Sequence, residues 1–274
     1  MWPPSPGTEG GTYTTDHSRD LEKVFSRRAF IPFLTCGDPD IATTERTIRA
    51  MAEAGADLIE LGIPFSDPIA EGPVIQGADV RALASGVTTD DIFDMAERIR
   101  ADLDIPMLVM TYINPVFVYG TDRFMERCSR AGICAVIVPD APFEQKKDLQ
   151  PSCTKYGVKL ISMIAPTSED RIAKIASEAE GFIYIVSSMG VTGVRTTFSS
   201  NLEDMVAAVR RYTDVPCAIG FGISTPEQAR RMTDFADGAI VGSAIVRIIA
   251  EHGKDSPEHV ADFVRKMRAE LDRE

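Results

Sequence analysis

Glu60 and Glu71 stand eleven positions apart in the run Asp57-Leu58-Ile59-Glu60-Leu61-Gly62-Ile63-Pro64-Phe65-Ser66-Asp67-Pro68-Ile69-Ala70-Glu71-Gly72-Pro73. Glu60 closes a short apolar segment, and the Pro and Gly residues behind it stop a strand and hold Asp67 and Glu71 on a loop. A carboxylate at a strand end, facing others on the next loop, suits proton transfer to and from a bound molecule. Leu58 and Glu60 share one strand face by the two-residue alternation, so a core-filling Leu58 aims Glu60 inward just above it. Burial there raises a carboxyl's pKa toward neutrality, where it can give and take protons. Position alone serves equally well for a structural glutamate bonded to backbone or to a tyrosine. Glu71 also reads as a solvated loop charge, and Asp67 as a turn former.

The histidines, His17, His252 and His259, lie outside the strand ends, and lysines such as Lys146, Lys147, Lys155 and Lys174 fall in helical text. That argues against a Ser-His-Asp triad, a Cys-His pair, a histidine-held metal and a Schiff-base lysine. The proton carriers left at strand ends are Glu60, Asp67, Glu71, Tyr112, Asp140 and Tyr184. Glycine clusters form a second constellation: Gly190-Val191-Thr192-Gly193, Gly220-Phe221-Gly222-Ile223-Ser224 and Gly242-Ser243. Glycines there let backbone amides approach an anion, and helices opening at Thr225-Pro226 and Ser243 add the positive ends of their dipoles. Each cluster alone is also an ordinary turn; at consecutive strand ends they point to a phosphate site. Phe33, Tyr112, Ile137, Ile164, Tyr184 and Phe221 supply apolar surface near the same rim, suited to a flat aromatic group or to plain core packing.

The elements that must position these residues follow one rhythm. Eight short apolar runs, Ala29–Thr35, Asp57–Gly62, Met107–Thr111, Ala135–Val138, Lys159–Ile164, Phe182–Ser187, Cys217–Gly220 and Gly238–Val241, alternate with longer segments of helical spacing. Those segments are Ala42–Ala54, Asp90–Leu103, Asp122–Ala131, Phe143–Tyr156, Ser168–Ser177, Leu202–Tyr212, Pro226–Phe235 and Pro257–Leu271. Eight βα units predict a closed (β/α)8 barrel. The rival, an open doubly wound sheet, wants a G-x-G-x-x-G at the first junction, where Cys36-Gly37-Asp38-Pro39 stands instead. Extra short helices are expected after strand two, Ala78–Ala84, and after strand eight, Ala244–Glu251, the latter where barrels often hold phosphate. Thr35-Cys36-Gly37-Asp38-Pro39, Tyr112-Ile113-Asn114-Pro115 and Pro139-Asp140-Ala141-Pro142 read as tight turns.

With 274 residues, 44% of them hydrophobic, the chain can bury one large core. We expect a mobile tail over residues 1–20, rich in Pro, Gly, Thr and Ser, and a single barrel domain over residues 21–274. The 29 Lys and Arg against 41 Asp and Glu leave a net charge of −12, which disfavours nucleic acid and anionic membrane. No stretch approaches the roughly 18 consecutive apolar residues of a membrane span. Five scattered cysteines without a C-x-x-C pair read as reduced thiols of a cytoplasmic protein.

Taken in order, Phe30-Ile31-Pro32-Phe33-Leu34-Thr35-Cys36-Gly37-Asp38-Pro39, the stretch from Glu60 to Gln76, Met110-Thr111-Tyr112-Ile113-Asn114-Pro115 and the three glycine clusters, the last continuing Ala244-Ile245-Val246, resemble the α subunit family of tryptophan synthase. The resemblance covers about Phe25 to Leu271, and the Glu-Leu-Gly-Ile-Pro-Phe-Ser-Asp-Pro run is its most specific part. It implies a barrel lyase that splits indole-3-glycerol phosphate into indole and glyceraldehyde 3-phosphate without a cofactor of its own. It also implies a partner, the β subunit, which carries pyridoxal phosphate in an α2β2 complex. By the same resemblance Glu60 is the general acid and base, Gly193, Gly222, Gly242 and Ser243 hold the phosphate, and Phe33, Tyr112, Ile137, Tyr184 and Phe221 surround indole and glycerol. Thr192 helps close the loop after strand six, while Pro64 and Asp67 belong to the loop facing the partner. The family pattern departs at one point: it has aspartate before Gly-Pro, bonding the ring nitrogen, where this chain has Glu71. An added methylene shifts that charge, and a misplacement of about an ångström can cost roughly a hundredfold in rate. Two other readings stay open, a weakly catalytic subunit that binds ligand and regulates a β partner, and a different phosphosugar barrel enzyme.

Overall fold

A computed structural model describes residues 18–186, 198–220 and 222–273. Within them nine parallel strands form a sheet in the order β5-β4-β3-β2-β1-β9-β8-β7-β6. The strands are β1 (Ala29–Thr35), β2 (Ile59–Gly62), β3 (Met107–Met110), β4 (Ile133–Ile137), β5 (Lys159–Leu160), β6 (Ser162–Ile164), β7 (Ile183–Val186), β8 (Cys217–Gly220) and β9 (Gly238–Val241). The two sheet ends, β5 and β6, are consecutive in the chain. They are the halves of the single expected strand Lys159–Ile164, interrupted at Ile161, whose amide still reaches Val136 O at 3.0 Å. The eightfold barrel therefore closes through a broken fifth strand.

The helices lie outside. α2 (Ile41–Glu53) starts at Asp40, whose carboxylate accepts from the Thr43 amide at 2.7 Å. α4 (Thr89–Arg100) opens with a reciprocal capping box between Thr88 and Asp91. α6 (Thr121–Arg130), α7 (Lys146–Tyr156), α8 (Glu169–Ser177), α9 (Phe198–Val209), α10 (Pro226–Met232) and α12 (Ser256–Leu271) fall where helical spacing predicts them, within a few residues at their ends. The expected helix Phe143–Tyr156 begins as a short 3-10 turn over Phe143–Gln145. The two extra helices are α3 (Pro73–Ala84) and α11 (Ser243–His252).

Two further helices depart from the sequence reading. α1 (Ser18–Val24) lies ahead of the barrel and begins inside the stretch expected to be tail; residues 1–17 are outside the described residues. Its Leu21 and Val24 join the barrel's inner cluster, and Phe25 meets Phe182 with the rings tilted and their centroids 5.5 Å apart. The expected turn Tyr112-Ile113-Asn114-Pro115 is the start of α5 (Ile113–Tyr119). Pro115 sits in its first turn, where no intrahelical donor is needed, and the Asp140 carboxylate accepts from the Ile113 amide at 2.9 Å.

Strand alternation sorts the apolar side chains into two clusters. Phe30, Leu34, Ile59, Leu61, Val109 and Val136 pack between barrel and helices. Ile31, Phe33, Leu58, Leu108, Met110, Ile137 and Tyr184 fill the barrel. Leu58 thus fills an inner layer, and Glu60, two residues on, is fully buried on the same face.

Candidate active site at the barrel mouth

Glu60 pairs in register with Phe33 of β1 and Leu108 of β3, near the carboxyl ends of the strands. Both of its carboxylate oxygens are buried with no protein hydrogen-bond partner. Burial first, and the charge of Glu71 second, push its pKa to about 8. An unpaired carboxyl costs least there when it carries a proton, so Glu60 at neutral pH is an acid ready to donate.

Glu71 lies on the loop between β2 and α3, largely withdrawn from solvent and not the solvated charge its loop position allowed. Burial first, with the Asp140 charge adding to it, raises its pKa to about 7. Tyr112 donates its hydroxyl to Glu71 Oε2, and Gln76 Nε2 donates to the Glu71 carbonyl at 2.8 Å. Tyr184 on β7 is buried, and burial together with Glu60 and Glu71 drives its hydroxyl well above the ordinary phenol range. It remains a neutral donor at working pH.

Glycines make the room for these rings. A Cβ on Gly62 would come within 2.6 Å of the Phe33 ring, and one on Gly242 within 3.1 Å. A Cβ on Gly220 would collide with the Tyr184 hydroxyl end. Gly220→Ala should therefore displace Tyr184 and lower stability by about 1–3 kcal/mol, read as a drop in thermal midpoint.

The two helices expected to face an anion differ. The α10 terminus is closed by its own side chains, Thr225 and Gln228 forming a capping box, with the Ser224 and Thr225 amides also on Gln228. α11 starts at Gly242 with no side-chain cap, leaving its first-turn amides for a ligand. Gly222 has φ +79°, a left-handed turn that favours glycine. Gly190, Val191, Thr192, Gly193 and Phe221 lie outside the described residues.

Of the remaining candidates, Asp140 caps α5, and exposed Asp67 accepts from Ser66 Oγ at 2.5 Å. Ile137 is fully buried in the inner cluster; Ile164 packs outward, between barrel and helices. His252 and His259 stack on each other at 3.6 Å at the α11–α12 corner, away from the mouth.

Sequence reasoning missed Asp79. It is 6% exposed on α3, and its pKa is raised to about 7 by burial first and then by the Glu71 charge. A signal existed: Asp79 shares the buried face of α3 with Ala78 and Ala82. Asp38 was read as a turn residue; it is buried and takes a bidentate pair from Arg81 at 2.8 and 2.7 Å, which ties the first βα turn to α3. Among the described residues no group of three or more His, Cys, Asp or Glu side chains could hold a metal, and no helix is long and apolar enough to cross a membrane.

A family model described as tryptophan synthase alpha chain matches residues 21–273. The tryptophan synthase alpha chain of Lacticaseibacillus casei is 47% identical over 253 residues, covering 92% of this chain and 95% of that one. The crystal structure of tryptophan synthase subunit alpha from Legionella pneumophila str. Paris superposes with a TM-score of 0.85 at 34% identity, over 94% of this chain and 99% of that one. A chain of the tryptophan synthase complex from Pyrococcus furiosus gives a TM-score of 0.79 at 32% identity, over 88% and 98%.

Proposed function

The chain belongs to the tryptophan synthase alpha chain family, and we propose that its barrel mouth carries out the retro-aldol cleavage of indole-3-glycerol phosphate to indole and glyceraldehyde 3-phosphate. The observation that carries this reading is Glu60, inward, fully buried, unpartnered and protonated near neutrality. The neutral acid gives its proton to the indole carbon that bears the glycerol chain, which places positive charge on the ring nitrogen. The resulting Glu60 carboxylate takes the proton from the adjacent side-chain hydroxyl. The carbon–carbon bond breaks, its electrons return to the ring, and the hydroxyl carbon becomes the aldehyde. Glu60 ends as it began, protonated, so one residue supplies both steps.

Glu71 is assigned to the ring nitrogen, where its negative charge offsets the positive charge of the protonated ring. Tyr184 donates from the opposite side of the barrel. Phe33, Tyr112, Ile137 and Phe221 enclose indole and glycerol. Gly193, Gly222, Gly242 and Ser243 are assigned to the phosphate, with the uncapped start of α11 as the strongest support, and Thr192 keeps the loop-closing role that the family resemblance implies. The cleavage as written consists of proton transfers, so we assign no cofactor to this chain and place pyridoxal phosphate in the β partner.

The partner is a tryptophan synthase β subunit, in an α2β2 assembly. Support comes from exposed apolar side chains on segments that follow β2 and β3: Ile69 at 80% on the loop, Val80 and Leu83 on α3, and Phe117 and Val118 on α5. All five cysteines are buried thiols, which fits a cytoplasmic enzyme.

The test is indole release from indole-3-glycerol phosphate by the purified chain, with and without a β subunit. We expect indole in both cases and a faster rate with β. Substrate bound but no indole under either condition would replace this reading with that of a regulatory subunit.

A further inference from the structure

The geometry points to Tyr112 as a positioning residue that fastens the longer Glu71 side chain through one carboxylate oxygen and so sets the other toward the ring nitrogen; this rests on the lyase reading above. Tyr112 is 3% exposed and its ring lies tilted against Phe65, with centroids 5.3 Å apart. Its hydroxyl oxygen accepts the Ala70 amide at 2.8 Å. That bond occupies the acceptor side of the oxygen, so the hydroxyl proton is committed to Glu71 Oε2.

The result is a closed ring of contacts around one dipeptide: Ala70 amide to Tyr112 oxygen, Tyr112 hydroxyl to Glu71 carboxylate, with Gln76 holding the Glu71 carbonyl at 2.8 Å. The backbone on both sides of the Glu71 side chain is thereby pinned. An aspartate at 71 ends about 1.5 Å nearer the backbone, and the pinned loop cannot slide to restore the reach. Tyr112 and the glutamate therefore form a matched pair. The tyrosine turns the extra methylene from a source of misplacement into a fixed lever arm.

The clamp also bears on charge. A hydroxyl donating to a carboxylate favours the ionised form, while burial and the Asp140 charge after β4 oppose it, and the other titratable groups around it, Glu60 on β2, Asp79 on α3 and Tyr184 on β7, bring no cation. Each of these is acidic. Tyr112 is the donor that keeps Glu71 charged when the ring nitrogen needs a counter-ion.

The test is a two-by-two set on the full chain: wild type, Tyr112→Phe, Glu71→Asp and the double variant, assayed for indole formation. We expect Tyr112→Phe to lower kcat about 30-fold with KM within about twofold, and to lower it less than about threefold in the Glu71→Asp background. Equal factors in both backgrounds, or a loss confined to KM, would mean that Tyr112 only lines the pocket and would overturn the proposal. A second readout needs no turnover. In protein carrying 13C-carboxyl glutamate, the Glu71 resonance, identified by its loss in Glu71→Gln, should titrate at higher pH in Tyr112→Phe than in wild type. An unmoved midpoint overturns the clamp even in a chain that makes no indole, whereas a moved midpoint without indole upholds the clamp and removes the lyase reading.

Discussion

Glu60→Gln should lower indole formation by at least about a thousandfold while leaving phosphate binding within about twofold of wild type. The size follows from the double use of one side chain. General acid or base catalysis alone contributes roughly a hundred- to ten-thousandfold, and in the proposed mechanism the same carboxyl protonates the ring carbon and then collects the hydroxyl proton. Glutamine fills the same volume and can do neither. The phosphate end of the substrate is assigned to the start of α11, so titration with glycerol 3-phosphate should stay near wild type. Turnover close to wild type in this variant would sink the acid-base assignment.

The same substitution makes an opposite prediction for stability. The folded-state pKa of Glu60, about 8, lies above the ordinary 4.5. Between those values the folded protein holds a proton that the unfolded chain has released, so the contribution of Glu60 to stability falls as pH rises through that window. Glutamine does not titrate. The stability of Glu60→Gln relative to wild type should therefore climb from about pH 4.5 to about pH 8 and level off above, by an amount on the order of a few kcal/mol. Urea midpoints across pH check the slope. A difference that does not change with pH would mean that Glu60 is charged in the folded protein.

What could be read from the residues depended on how local the cause was. The inward aim of Glu60 follows from its two-residue offset from Leu58, a property of any strand, and the barrel places Leu58 inside as expected. The strand set was legible because parallel strands buried on both faces read as unbroken apolar runs. The break at Ile161 was not, since apolar residues stand on both sides of it and nothing in the composition shows that Lys159–Leu160 pairs with β4 while Ser162–Ile164 pairs with β7. Helix α1 escaped because seven residues next to a Pro- and Gly-rich stretch are too short for periodicity to register. α5 was hidden behind Asn114-Pro115, which reads as a turn, and its missing cap comes from Asp140, 27 positions away. The bond from Tyr112 to Glu71 spans 41 positions. These last two were invisible for the same reason: the partner is supplied by another βα loop, and the fold alone brings those loops together at one end of the barrel.

The opposite end of the barrel carries the largest expected effect on stability. Asp57, just ahead of β2, accepts from the Phe30 amide at 2.8 Å, from Arg268 of α12 at 2.8 Å and from Arg27 at 2.7 Å. The arginines are not equivalent. Arg268 is buried, donates also to the Arg28 carbonyl at 2.9 Å, and packs its stem against Gly55, whose φ of +103° brings that backbone close. Arg27 is 48% exposed on its side chain, so solvent screens its pair. Arg268→Ala should cost about 3–5 kcal/mol, because it leaves a mostly buried carboxylate with the half-exposed Arg27 as its charge partner and opens a gap under α12. Arg27→Ala should cost no more than about 1 kcal/mol. Urea denaturation distinguishes them: a large fall in midpoint with unchanged slope for Arg268→Ala, and a small one for Arg27→Ala. Equal losses would show that Asp57 is as wet as its outer partner and that the pair with Arg268 does not anchor the C-terminal helix. Because Asp57 lies at the amino ends of the strands, the Arg268→Ala protein that remains folded should keep the wild-type kcat. Such a result would separate the end of the barrel that holds the fold from the end that does the chemistry.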